Sequence, residues 1–249
     1  MGSQMQADMS ASSTLPALPL ADAIVRFHDA ELSRWQAGGA DEDHEDHEDH
    51  DNGDLGGGPQ RGADDVWRAI DVNHRHNRML WREEDRARRT DVGAEAIAAG
   101  KRLIDRHNQL RNDAVEAIDE ALLARLPAEL EPASALACGG AGPAARLSSE
   151  TAGAMIDRLS ILALKIFHMR AQAHRVEAGA AHMAACAARL ERLMAQRNDL
   201  AGCLDRLLNE AATGAACFRV YRQFKMYNDP ALNPSLYGRR ENVGAGGGP

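Results

Sequence analysis

Residues 148–170, SSETAGAMIDRLSILALKIFHMR, decide the fold. From Ala152 to Met169 the apolar residues fall on every side of a 3.6-residue period, so the stretch reads as a helix that is hydrophobic nearly all round. Such a helix belongs at the centre of a helical domain, because it has no face to give to water. Asp157, Arg158, Lys165 and His168 must then find partners, since an unpaired buried charge is strongly destabilising. Ser148 or Ser149 is the expected N-cap, and Glu150 suits the positive end of the helix dipole.

Three further helices with steps of three and four surround it. The first major helix is expected from Asp64 to about Arg89, capped by Asp64 or Asp65. Its seam is Trp67, Ile70, His74, Asn77, Trp81, Glu84 or Asp85, and Arg88. The second is expected from about Ala94 to Leu126, ending before Pro127, with Ile97, Lys101, Ile104, Asn108, Arg111, Val115, Ile118 and Leu122 on its seam. Gly179 separates the central helix from a last one, which runs to about Gly214 along Cys186, Leu190, Leu193, Arg197, Leu200, Leu204 and Leu207. No stretch keeps a strand's alternation. The expectation is an all-α, antiparallel four-helix-type bundle over residues 63–237, without a sheet.

Composition agrees. Aromatics make up 4% of the 249 residues, and Ala, Leu and Arg dominate, which favours helices packed through small and aliphatic side chains. The net charge of -8 is unevenly spread: residues 1–59 hold 13 acids and 2 bases, leaving the remainder mildly basic. A balance that small does not point to duplex nucleic acid. Neither a secretory signal nor a membrane-spanning run is legible, so a cytoplasmic protein is expected. Cys138, Cys186, Cys203 and Cys217 show no Cys-x-x-Cys spacing and read as small buried thiols.

At the front, residues 1–19 read as a tail and 20–36 as a short amphipathic helix with Ile24, Phe27, Leu32 and Trp35 as contacts. The tract DEDHEDHEDHDNGDLGGG, 41–58, lies in an acidic, Gly-rich linker spanning 37–62 that cannot bury enough apolar surface to fold. Its His44, His47 and His50 recur every third residue and offer at most weak metal binding. Residues 238–249 read as a flexible tail.

Two features carry functional information. Polar residues occupy seam positions where a plain bundle has leucine, either as a satisfied network that sets helix register or as a ligand site in the bundle core. The segment FRVYRQFKMYNDPALNPSLY, 218–237, interleaves tyrosines with Arg222 and Lys225. It is either a clasp over the bundle or a surface on which Tyr221 and Tyr227 stack a base or sugar while the cations hold phosphate. The second and last helices also share a pattern. Arg111-Asn-Asp precedes Asp119, and Arg197-Asn-Asp precedes Asp205, at equal spacing. Internal duplication of a helical hairpin and coincidence both account for it. Motifs for nucleotide P-loops, dinucleotide folds, zincins, di-iron bundles and serine hydrolases are missing. Glu83-Glu84-Asp85 with Glu116-x-x-Asp119 loosely resembles the acidic helices of all-α nucleotide pyrophosphohydrolases.

Four segments, HNRMLWREEDRARR (76–89), RLIDRHNQLRNDAVEAID (102–119), the central helix and the C-terminal segment, together resemble the bacterial family catalogued as domain of unknown function 4254. The resemblance spans about residues 20–237. It implies a cytosolic role near activated sugars, because members tend to accompany glycosyltransferases of surface-polysaccharide or lipopolysaccharide assembly. On that reading the chain binds, or also processes, a phosphorylated sugar or nucleotide-sugar. Arg111, Arg158, Lys165 and Arg197 hold phosphate, and Asn77, Asn108, Asp157 and His168 are further ligand contacts. His74, Glu84 and Asp85 are candidates for proton chemistry or for a divalent metal. The alternative is a non-catalytic partner of a glycosyltransferase, with purely structural polar seams.

Overall fold

The computed structural model describes residues 18–37, 62–126, 145–222 and 232, with the side chains of 62–64 left aside. The acidic-His tract, residues 127–144 and most of the C-terminal segment lie outside the described residues. Within them the chain is all-α. Five α-helices follow one another: α1 (Ala21–Ala37), α2 (Gly62–Ala87), α3 (Ala94–Leu123), α4 (Ala152–Ala173) and α5 (Ala180–Ala212). α2 and α3 form one hairpin, α4 and α5 another, and α4 touches each of the other four helices. None of the described helices is long and apolar enough to cross a membrane.

α4 is enclosed as its all-round apolarity requires. Ile156, Leu159, Leu164 and Ile166 are each at most 1% exposed. Ile156 and Leu159 share the main core with Ile70 of α2, Ile118 and Leu122 of α3, and Leu204 and Leu207 of α5. The short first helix joins the same core through Ala21 and Ile24. A smaller cluster of Leu32, Ala163 and Leu164, flanked by Trp35, Trp81 and Phe167, closes the other end of α4.

The termini differ in detail from the sequence expectation. α2 starts at Gly62, so Asp64 and Asp65 lie inside its first turn rather than at the cap. The N-cap of α4 is Thr151, whose side chain accepts from the Ala154 N–H at 3.1 Å. Ser148 lies three residues before the cap, its hydroxyl donates to the Glu150 carbonyl at 2.7 Å, and its own N–H donates to the Cys217 carbonyl at 2.8 Å. That bond continues a two-residue parallel ladder between β1 (Arg146–Leu147) and β2 (Ala216–Cys217). The ladder corrects the expectation of no strand pairing: it is too short to show a period, and it joins the segment just before α4 to the segment just after α5. Gly179 does separate α4 from α5, at φ +86°, a conformation costly for any residue with a Cβ. The cysteines divide: Cys186 is a buried free thiol as expected, Cys203 is exposed, and Cys217 is disulfide-bonded rather than free.

The two Arg-Asn-Asp motifs are used alike. Asp119 of α3 accepts the Gly153 N–H at the start of α4, at 2.6 Å. Asp205 of α5 accepts the Ala21 N–H at the start of α1, at 2.8 Å. Each carboxylate thus satisfies an orphan donor of a neighbouring helix. The arginine of each motif turns to the same neighbour: Arg111 to Asp157 of α4 at 3.9 Å, Arg197 to Asp29 of α1 at 2.8 and 3.0 Å. A repeated spacing that performs a repeated task favours duplication over coincidence.

The α3–α4 contact is close enough to require glycine. A Cβ at Gly153 would lie 2.5 Å from the Val115 carbonyl oxygen and 2.9 Å from the Asp119 carboxyl, whereas at Gly100 and Gly202 it would meet nothing within 4 Å. Gly153→Ala is expected to lower stability by about 1–3 kcal/mol, while Gly100→Ala and Gly202→Ala raise it by roughly 0.5–1 kcal/mol through helix propensity. Urea melts check the opposite signs. Burial pushes Asp119 up to about 6 against hydrogen bonds from Thr151 and Gly153, with Glu116 and Glu120 adding to the rise. The folded state therefore holds a proton that the unfolded state has released, and stability falls as pH rises from about 4 to about 6. Asp119→Asn keeps the acceptor and removes the charge. Its stability advantage over the parent should grow across that window by on the order of 2 kcal/mol and then level off, as measured by urea melts at stepped pH.

Candidate functional site: two cavities that share Trp81

The polar seam of α2 has two fates along its length. Its middle turns are closed. Asn73 and Asn77 both donate to Asp157 Oδ1 at 2.8 Å, Asn77 also donates to Ser160 Oγ at 3.0 Å, and His74 Nδ1 meets the same hydroxyl at 2.8 Å. Asn73, His74 and Ser160 are wholly buried. These bonds pair the two amides, Asp157 and Ser160 with one another, as buried polar groups require. His28 of α1, also wholly buried, stacks on His74 with centroids 4.6 Å apart and planes 23° from parallel. Among the described residues neither ring nitrogen of His28 has a hydrogen-bond partner, nor does His74 Nε2. Burial lowers the pKa of His28 well below the ordinary value, helped by His74 and Arg197, and burial with Arg78 lowers His74 to about 3. Both rings are neutral at physiological pH.

The last turns of the same seam are open. Asn77, Trp81, Glu84, Asp85 and Arg88, on one face of α2, line a cavity of about 290 Å³ with Asn108 and Arg111 of α3. Leu80, Ile161 and Leu164 supply apolar wall. The helix period places the α2 residues together, and i, i+3 spacing places Asn108 beside Arg111. Arg88 pairs with Glu84 at 3.1 Å and Asp85 at 3.2 Å. Arg111 donates to Asn112 at 3.1 Å and keeps only the loose 3.9 Å approach to Asp157; its buried Nε has no partner.

Trp81 also walls a second cavity of about 420 Å³ between α2, α4 and α5. Lys165, His168, Met169 and Gln172 reach it from α4; Arg189, Arg192, Leu193 and Gln196 reach it from α5. His168 lies parallel to Trp81, 4.4 Å between centroids, and edge-on to Trp35. Burial lowers the His168 pKa, against the pull of Asp85.

The sequence candidates therefore separate. Asn77, Glu84, Asp85, Asn108 and Arg111 meet at the first cavity, and Lys165 and His168 at the second. His74 and Asp157 belong to the closed network. Arg158 is exposed and bound to Glu150 at 2.7 Å, and Arg197 is buried against Asp29. Tyr221 is 62% exposed and lines a third, smaller cavity with Glu116 and Asp119, toward the other end of α3, while Arg222 bonds Glu120. Glu84 and Asp85 thus do not meet Glu116 and Asp119, contrary to the pyrophosphohydrolase likeness. Phe218 is buried in the main core, so the described start of the C-terminal segment is a clasp; Lys225 and Tyr227 lie outside the described residues, as do His44, His47 and His50. Among the described residues no group of three or more His, Cys, Asp or Glu side chains is placed to hold a metal ion. Trp81, Arg88, Arg189 and Arg192 were missed as site residues. Trp81 and Arg88 were visible on the seam. The other two sit one step off the α5 seam and gain meaning only opposite Lys165.

The neutral histidines have a signed consequence. Their folded pKa values lie below the unfolded value of 6.5, so as pH falls below 6.5 the unfolded state takes protons first and stability drops. His28→Leu removes two unpartnered buried nitrogens as well as a titrating group. It should raise stability at pH 7 by about 1–3 kcal/mol and flatten the acid limb, as followed by urea melts between pH 7 and pH 4.

The family model described as protein of unknown function (DUF4254) matches residues 67–220, from the second turn of α2 to just past Phe218. This is shorter at both ends than the resemblance read from the sequence. No curated protein matches the chain, and no solved structure does. With the greater part of its length matched, and both cavities built from matched residues, the chain belongs to the DUF4254 family.

Proposed function

We propose that the protein binds a phosphorylated sugar or nucleotide-sugar in the first cavity, and that it serves cytosolic surface-polysaccharide or lipopolysaccharide assembly, as the family resemblance implies. The observation that supports this reading is the composition of the wall: an indole, two carboxylates, two amides and two guanidinium groups around one space. Carboxylates and amides of this kind bind sugar hydroxyls, which donate and accept at once. An indole covers the apolar face of a sugar ring. Arg111 is the phosphate ligand, because its Nε has no partner and its ion pair is loose. Any processing falls to Glu84 and Asp85, the groups in the wall that accept a proton or a divalent cation. His74 does not take part, being held inside by Ser160.

One observation favours the alternative, a non-catalytic partner of a glycosyltransferase. The closed turns of the seam satisfy one another without any ligand, as a purely structural seam would. The two readings differ at Arg111. Arg111→Met is expected to keep the parent's urea midpoint and to lose the thermal shift caused by a nucleotide-sugar, in a screen with and without Mg²⁺ or Mn²⁺. Arg197→Met should behave oppositely. Its side chain is 10% exposed beside a 41% exposed Asp29, so the loss costs about 1–3 kcal/mol, short of a fully buried pair, while the ligand response persists. No shift with any nucleotide-sugar or sugar phosphate in the parent would leave the partner reading.

A further inference from the structure

The second cavity is mostly apolar; Lys165, Arg189 and Arg192 lie along it as exposed residues, and no carboxylate is among its lining residues. None of the three forms an ion pair among the described residues. Against the lowering by burial, Asp85 raises the His168 pKa but lines the other cavity. Exposed cations along one cavity, with no carboxylate among its lining residues, concentrate anions from solution. Charge alone would suit a bare anion. The lining, however, also includes Met169, Leu193 and the His168 ring stacked on Trp81, aromatic and flexible apolar groups that suit a planar or apolar body. The volume of about 420 Å³ falls in the range of small-molecule sites and is more than one phosphate fills. His168 adds a buried Nε2 with no partner in the same wall.

We infer that the second cavity is an anion site for a phosphate group carried on a planar body, of the size of a nucleoside monophosphate. The guanidinium groups of Arg189 and Arg192, three residues apart on α5, hold the phosphate oxygens with the Lys165 ammonium opposite. The planar part lies against His168, Met169 and Leu193 of the wall. This does not depend on a sugar occupying the first cavity; where both hold, the shared Trp81 wall makes the two cavities neighbouring subsites for one nucleotide-sugar.

The test uses the full chain, titrated with adenosine monophosphate, adenosine and inorganic phosphate by calorimetry at low salt. The monophosphate should bind roughly tenfold or more tightly than either adenosine or phosphate alone, and its affinity should fall as salt rises. It should shift the resonances of His168 and the Trp81 indole. Arg189→Gln with Arg192→Gln should weaken it at least about tenfold with an unchanged urea midpoint, both side chains being exposed. Arg206→Gln, an exposed α5 charge outside the cavity, should leave it alone. Should the double variant not fold, Lys165→Gln reads the same loss from α4. Equal affinity for adenosine and its monophosphate, or full affinity in the cavity variants, would overturn the inference. So would loss on Arg111→Met alone, which puts the phosphate in the first cavity.

Discussion

A helix enclosed by four others must have its polar groups met by those neighbours, because water cannot reach them. α4 is that helix, and the rest of the molecule is arranged around the requirement. Its first N–H groups are taken by Thr151 and by Asp119 from α3. Its Asp157 and Ser160 are taken by Asn73, His74 and Asn77 from α2. Its long cations escape: Arg158 reaches Glu150 at the surface, Lys165 reaches the second cavity, and Arg170 is exposed. Polar seams on the outer helices are thus in part the complement of a central helix that carries polar residues.

The same logic attaches α1. Asp205 meets its first N–H, Arg197 meets its Asp29, and its apolar residues enter the common core. Two Arg-Asn-Asp motifs, one on each hairpin, perform the same two tasks on different neighbours. The cost appears where the match is incomplete. His28 occupies in α1 a place beside His74 like that of Ser160 in α4, but its nitrogens find no hydrogen-bond partner. Burial then keeps the ring neutral.

Where helices diverge, the pairing stops and cavities begin. α2 passes from the closed network at Asn73 and His74 to the open wall at Glu84 and Arg88 within four turns. Asn77 belongs to both, bonded to Asp157 and Ser160 while lining the first cavity. Network and ligand site are therefore successive parts of one seam rather than rival descriptions of it. Trp81 stands at the divide between a cavity rich in carboxylates and amides and one lined by cations.

Helix positions, the breaks at Gly179 and Gly214, the central place of α4 and the seam bearing Asn77, Glu84, Asp85, Asn108 and Arg111 were all legible in the sequence. Each rests on a period or on a local backbone preference, and those are properties of neighbouring residues in the chain. The sequence could not tell that Arg197 and Arg158 are occupied elsewhere, that Arg189 and Arg192 face Lys165, that Thr151 displaces Ser148 as the cap, or that Asp119 and Asp205 cap helices distant in sequence. A period names the face a residue lies on, not the residue opposite. The opposite residue is set by how far each helix slides and tilts against its neighbour, which only the packed core decides.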